Sequence, residues 1–145
     1  MTDLQTITDT VNAVFDTVDA KDWPAARELF ADEVDVDFSS LAGGGPARVT
    51  ADQLIAGWQA GLHARKASWH LVGHHRIVVD GETATVALKG QAWNRLDEEL
   101  GGGLFETWGR YELRLRRVGP AWLVDGFVYE SQLVRGSDAV RSHTL

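Results

Sequence analysis

The chain contains no cysteine, which excludes disulfides, thiol nucleophiles and cysteine-ligated zinc together. No apolar run approaches the roughly 20 residues that a membrane-spanning helix needs, so no membrane partner is expected. Positive charge is scarce: 14 Lys and Arg stand against 21 Asp and Glu, a formal net charge of −7. A surface of that sign repels phosphate backbones, and nucleic acid is not an expected partner. The N-terminal Met1-Thr2-Asp3-Leu4 is acidic and lacks a signal-peptide core, which makes the cytoplasm the expected location. What is present is ordinary globular material: 145 residues, 44% hydrophobic and 24% charged. One domain over 1–145 is expected, with 134–145 a polar tail.

Hydrophobic periodicity changes once along the chain. Leu4, Ile7, Val11, Val14, Phe15 and Val18 recur at helical spacing, which predicts an amphipathic first helix. Asp22 ahead of Trp23-Pro24 is a helix N-cap with proline in the first turn. Thr50 with Gln53 three residues later forms a capping box for a third helix, whose apolar side is Leu54, Ile55, Trp58 and Leu62. Strand signals dominate the rest. Val34 to Phe38 alternates strictly, and long β-rich stretches run from Trp69 onward. Asp80-Gly81 is a hairpin turn, and Gly119-Pro120 turns the chain into its last strand. This order predicts an α+β fold, with N-terminal helices packed on one face of a curved, mainly antiparallel sheet.

Six tryptophans are many for 145 residues. Trp23 and Trp122 fit a closed core. A core cannot satisfy many indole N–H groups, so some of Trp58, Trp69, Trp93 and Trp108 are expected to line a cavity or an interface. Four of the five histidines bunch at His63, His70, His74 and His75, with His143 near the C-terminus. On an extended strand His70 and His74 lie about 13 Å apart and His75 points to the other face, so no metal site and no cofactor are expected. Asp19 lies at the edge of the first helix's apolar stripe, where a partly desolvated carboxylate can orient an imidazole; Asp16 points away. The Gly43-Gly44-Gly45 and Gly101-Gly102-Gly103 runs lack nucleotide-loop spacing and read as loops. Arg114, Arg116 and Arg117 alternate with leucines as a solvated sheet face.

Asp16-Thr17-Val18-Asp19-Ala20-Lys21-Asp22-Trp23, Asp37-Phe38-Ser39-Ser40, His70-Leu71-Val72-Gly73 and Trp122, taken in order, resemble the SnoaL-like branch of the nuclear-transport-factor-2-like superfamily, near scytalone dehydratase and its relatives. The resemblance implies a cone-shaped α+β barrel around an apolar pocket. It also implies that Asp19 orients His70 and that His70 takes the proton alpha to a carbonyl. Two tyrosines that polarise the carbonyl in scytalone dehydratase match Val18 and Phe38; a second pocket histidine matches Trp93 and a pocket asparagine matches Tyr111. The base half is retained and the electrophilic half is replaced, so scytalone is not the expected substrate.

The resulting expectation is a cofactor-free dehydratase or isomerase for an apolar, carbonyl-bearing small molecule. His70 is the general acid/base, Asp19 its orienting partner and Tyr111 a hydrogen-bond donor to the developing oxyanion. Val18, Phe38, Trp58 and Trp93 pack the substrate. A polyketide-type cyclase or epoxide-opening enzyme would need a carboxylate pair in the pocket, and Asp35 and Asp37 lie on the strand face opposite Phe38. A non-catalytic binding module is the remaining alternative. Apolar residues of both parities in the sheet predict a homodimer.

Overall fold

A computed structural model describes residues 1–145. The first helix, α1 (Asp3–Asp19), is capped by the Thr2 hydroxyl, which accepts from the Gln5 amide. It buries Ile7, Val11, Val14, Phe15 and Val18, five of the six residues of the apolar stripe, while Leu4 in its first turn stays exposed. Helix α2 (Trp23–Glu28) starts at the expected Asp22 cap, and α4 (Ala51–Gly61) at the expected Thr50–Gln53 capping box. Two short elements had no sequence signal: α3 (Ser39–Ala42) and the strand β2 (Ala47–Thr50).

The other strands are β1 (Phe30–Asp37), β3 (Lys66–Asp80), β4 (Thr83–Leu96), β5 (Leu104–Val118) and β6 (Ala121–Gly136). They form one six-stranded sheet in the order β2-β1-β6-β5-β4-β3. Every pairing is antiparallel except β1 with β6. The sheet is therefore mixed and remains open: β2 and β3 are its edges, and α1, α2 and α4 cover its concave face to complete the cone. Alternation along β4 and β5, and along β6 across a register shift at Asp125, puts Ala84, Val86, Leu88, Leu113, Leu115, Val124 and Phe127 against α1 in one core of 22 buried residues. That core is what fixes the register, because a one-residue slip would turn each apolar set outward.

Local slips are built in at several places, and the one in β3 decides where two histidines point. β3 bulges between Gly73 and Arg76 against β4, with His74 in the left-handed region at φ 62°. Beyond the bulge the faces exchange, so His75, expected on the face opposite His70, turns toward α1 and bonds Asn12 Oδ1 through Nε2 at 2.9 Å. His74 is left on the outside.

The polar-tail expectation for 134–145 is corrected. β6 runs to Gly136, and a further helix, α5 (Asp138–Ser142), follows it. Val140, its one apolar anchor, is 2% exposed and packs with Leu96 and Phe105. Beneath this segment the buried Lys66 ammonium donates to the carbonyls of Gly61 (2.8 Å), Arg141 (3.1 Å) and His143 (2.9 Å). His63 Nε2 and His143 Nδ1 are 2.9 Å apart. Three N–H donors thus meet three carbonyls, two of them from the C-terminal segment. Lys66→Met is expected to lower stability by about 1–3 kcal/mol at neutral pH, because the carbonyls lose their donor. Burial, with Lys21 and Arg141 nearby, pushes the Lys66 ammonium down from 10.5 to about 8. Between those values the unfolded chain holds a proton that the folded chain releases, so this group makes stability rise with pH across that window. Thermal melts of both proteins from pH 7 to 10 check the loss and the disappearance of that slope in the variant.

Candidate active site

The core does not fill the cone. A cavity of ≈ 170 Å³ lies between α1, α4 and the inner sheet face, lined mainly by apolar groups. The strand registers order its walls into successive rows along the sheet. The first row crosses Leu88, Tyr111 and Tyr129; the second is Val72, Gly90 and Gly109; the third holds His70, Ala92 and Thr107; the last holds Asn94 and Phe105. Phe15 and Phe127 both pack edge-on against the Tyr111 ring, at 4.9 and 5.7 Å between centroids, making an aromatic floor. Two glycines make room for the tyrosines. A Cβ on Gly90 would stand 2.5 Å from Tyr111 Cε2, and one on Gly109 would stand 2.6 Å from the Tyr129 hydroxyl. Trp58 from α4 and Phe38 close the side opposite His70, with rings 6.2 Å apart.

Asp19, the last residue of α1, receives three donors from β3. His70 Nδ1 lies 2.7 Å from Oδ1, the His70 backbone N–H donates to Oδ2 at 2.7 Å, and the Ser68 hydroxyl donates to Oδ1 at 2.9 Å. Burial pushes the Asp19 carboxyl up, but the His70 and Ser68 hydrogen bonds and the His70 charge outweigh it and hold the group below its ordinary value. An ionised carboxylate only accepts, so the proton of a neutral His70 ring resides on Nδ1. Nε2 then carries the lone pair. It has no protein partner, and His70 lines the cavity. The imidazole and carboxylate side chains are only 16% and 17% exposed, so the pair works out of bulk water.

Tyr111 is buried at the floor; desolvation, with Tyr129 and the Asp19 charge adding to it, pushes its hydroxyl strongly up, so it persists as an O–H donor. Tyr129 and Thr107 share a 2.6 Å hydrogen bond beside it. Of the expected substrate-packing residues, Val18, Phe38 and Trp58 line the cavity. Trp93 does not. It has the parity of Gln91 and Arg95, faces outward, and stacks on Trp69 across the strand pair at 6.5 Å with 5° between the rings. Ala92 and Asn94 take the inward positions on either side of it. Phe15, Asn94, Thr107, Phe127, Tyr129 and Arg141 also line the cavity. Alternation on β4 and β5 could have flagged Asn94 and Thr107; nothing local marks Arg141. Asp35 and Asp37 stay outside, Asp35 bonded to Arg48 and Arg114 and Asp37 to Ser39.

Helices closing an open, curved six-stranded sheet into a cone define the class of fold, and comparison with known proteins returns the same fold. The chain belongs to the SnoaL-like domain family, whose model matches residues 1–139. No curated protein matches it. Among solved structures it is similar to the Kfla4162 protein from Kribbella flavida: TM-score 0.87, 22% identity, covering 92% of this chain and 93% of that one. A protein from Novosphingobium aromaticivorans provisionally named a scytalone dehydratase has TM-score 0.75 and 14% identity over 98% of this chain and 88% of that one. A type 2 hexachlorocyclohexane dehydrochlorinase (LinA) has TM-score 0.73 and 13% identity over 92% and 87%. At these identities the likeness is one of fold, and a fold of this kind hosts more than one chemistry. No helix is long and apolar enough to cross a membrane.

Proposed function

We propose that the protein is a cofactor-free lyase or isomerase that removes a proton alpha to a carbonyl in an apolar, ring-bearing small molecule. One observation carries the reading: His70 is fixed by Asp19 through Nδ1 while Nε2 is left unpartnered at an apolar cavity. A bare imidazole nitrogen in that position is a base with nothing to do until a ligand arrives. In the elimination His70 Nε2 takes the α-proton. The C–H electron pair becomes the new double bond as the bond to a β-hydroxyl breaks, and the proton returns with the leaving oxygen as water. In an isomerisation the same proton returns to a different carbon. Asp19 stabilises the imidazolium between the two transfers, and Tyr111 donates to the carbonyl oxygen as charge develops there. Val18, Phe38 and Trp58 hold the ring.

The cyclase or epoxide-opening alternative lacks its carboxylate pair, because Asp35 and Asp37 are engaged outside the cavity. A panel of cyclic β-hydroxy ketones, followed by the absorbance of the conjugated enone, tests the proposal. Formation of enone without added cofactor is expected. Tight binding of these ketones with no proton removal from any of them would establish a binding module instead.

We also propose that the outer sheet face pairs with a second copy of the chain. Leu71, Gln91, Trp108 and Leu133 make one row across four strands, and Trp69, Leu71 and Leu133 are 54%, 64% and 61% exposed. Lys89 and Arg110 are cross-strand neighbours with no ion-pair partner, beside Glu112 and Glu130. A two-fold axis there would bring opposite charges together. Sedimentation is expected to give a dimer at tens of micromolar, the order of concentration at which a stable interface is filled; a monomer there overturns it.

A further inference from the structure

The cavity is not uniformly apolar. Its floor is aromatic and its middle carries the base, but the end at the Asn94–Phe105 row holds two polar groups with hydrogen-bonding capacity to spare. Asn94 lines that end, and its side-chain amide has no hydrogen-bond partner in the protein. Arg141 is the second. It is the one permanently charged side chain in the lining; no carboxylate joins it there, since Asp19 stands behind His70 with its oxygens already taken. The guanidinium is oriented by Asp138, which accepts from Nε at 2.6 Å and from Nη2 at 3.3 Å. Nη1 has no partner. Asp138 itself is 74% exposed and Arg141 only 23%.

The fold invests in placing this residue. The single turn of α5 that carries Arg141 would fray if left alone. It is held instead by Val140 against Leu96 and Phe105, and by the Lys66 ammonium on the Arg141 and His143 carbonyls. Phe105 and Asn94 are register partners, so α5 is pinned at the Asn94 end of the cavity. A partly buried guanidinium that keeps Nη1 free beside its Asp138 pair, in the same cavity lining as an unspent amide, is a recognition pair for a planar anion. The size of the cavity limits what the anion can be attached to. A dry apolar cavity of about 150 Å³ takes one benzene ring, and this one has ≈ 170 Å³.

We propose that Arg141 is the anion-recognising residue of the cavity, and that the ligand is a single-ring compound whose carboxylate sits at the Asn94 end, between Arg141 and Asn94. The ring then lies on the Tyr111–Phe127 floor, with its middle carbons passing His70. The inference rests on the base reading of the same cavity and narrows its substrate class to ring compounds that are acids at one end. For a protein of net charge −7, Arg141 supplies the local attraction such a substrate needs.

Titration calorimetry at low salt with 4-ethylbenzoate and its neutral isostere 4-ethylbenzamide tests this on the wild type, Arg141→Gln and Arg141→Lys. The wild type is expected to prefer the carboxylate by about ten- to a hundredfold, the scale of a charge-assisted hydrogen bond in a partly buried site. Arg141→Gln should lose that preference with the amide affinity within about twofold of wild type, and Arg141→Lys should keep part of it. Glutamine retains the carbonyl that Lys66 holds, and equal melting temperatures would confirm that α5 stays docked. Equal binding of both probes by the wild type, or an undiminished preference in Arg141→Gln, overturns the role of Arg141 and leaves the base reading standing. Failure of both probes to bind removes the small-ring cavity itself, and both proposals with it.

Discussion

Replacing His70 by alanine is expected to cut turnover about 10²–10⁴-fold, the usual contribution of a positioned general base. Binding of the ligand should change little, because Phe38, Trp58 and the aromatic floor remain in place. Folding should survive as well. The imidazole makes one hydrogen bond, to Asp19, and Asp19 keeps its bonds to the Ser68 hydroxyl and the backbone N–H of residue 70. A purely structural histidine would give the opposite pattern: a lower melting temperature, with activity in proportion to the folded fraction. Turnover and thermal melts on the same samples separate the two.

Asp19→Asn should be nearly as damaging, for a reason that lies in the hydrogen bond rather than in charge alone. An amide at this position can present N–H to His70 Nδ1, which moves the ring proton to Nε2 and occupies the base with the wrong tautomer. In a Ser-His-Asp triad the same exchange costs about 10⁴-fold; here a loss of about 10² or more is expected, measured as turnover at fixed pH. The double variant should be no slower than His70→Ala, since the two residues act as one unit. A second readout follows from the carboxylate. The folded chain holds Asp19 below the ordinary value of 3.8, so the unfolded chain takes up the proton first on acidification. Asp19 therefore contributes stability above that value and loses it as pH falls through the folded one. Acid-unfolding curves should lose this component in Asp19→Asn.

The parts of the fold that could be read from the sequence are those encoded locally. The α1 stripe, the Asp22 cap and the Thr50–Gln53 box depend on residues three or four apart, and the β3–β4 turn on Asp80-Gly81. The Asp19–His70 pair joins residues 51 positions apart; the edge placement of Asp19 made it a candidate, and the family resemblance supplied its partner. What escaped the sequence reading is set by distant contacts. The bulge at Gly73–Arg76 reverses the parity of β3 without any glycine at His74, so plain alternation puts His75 on the wrong side. The family resemblance puts Trp93 in the cavity, while its own alternation with Ala92 and Asn94 puts it outside. Residues 134–145 read as a tail because Val140 alone shows no period; its burial depends on Leu96 and Phe105, some 40 residues earlier. With the tail went Arg141, whose position follows from that docking.

The most direct test of the central claim is solvent deuterium incorporation into a cyclic ketone bound in the cavity, followed by mass spectrometry in wild-type and His70→Ala protein. A base at His70 Nε2 exchanges the α-proton whether or not a leaving group is present, so the measurement does not depend on knowing the natural substrate. Uptake at the α-carbon by the wild type, lost in folded His70→Ala that still binds the ketone, is the predicted result. Equal uptake by the two folded proteins would contradict it.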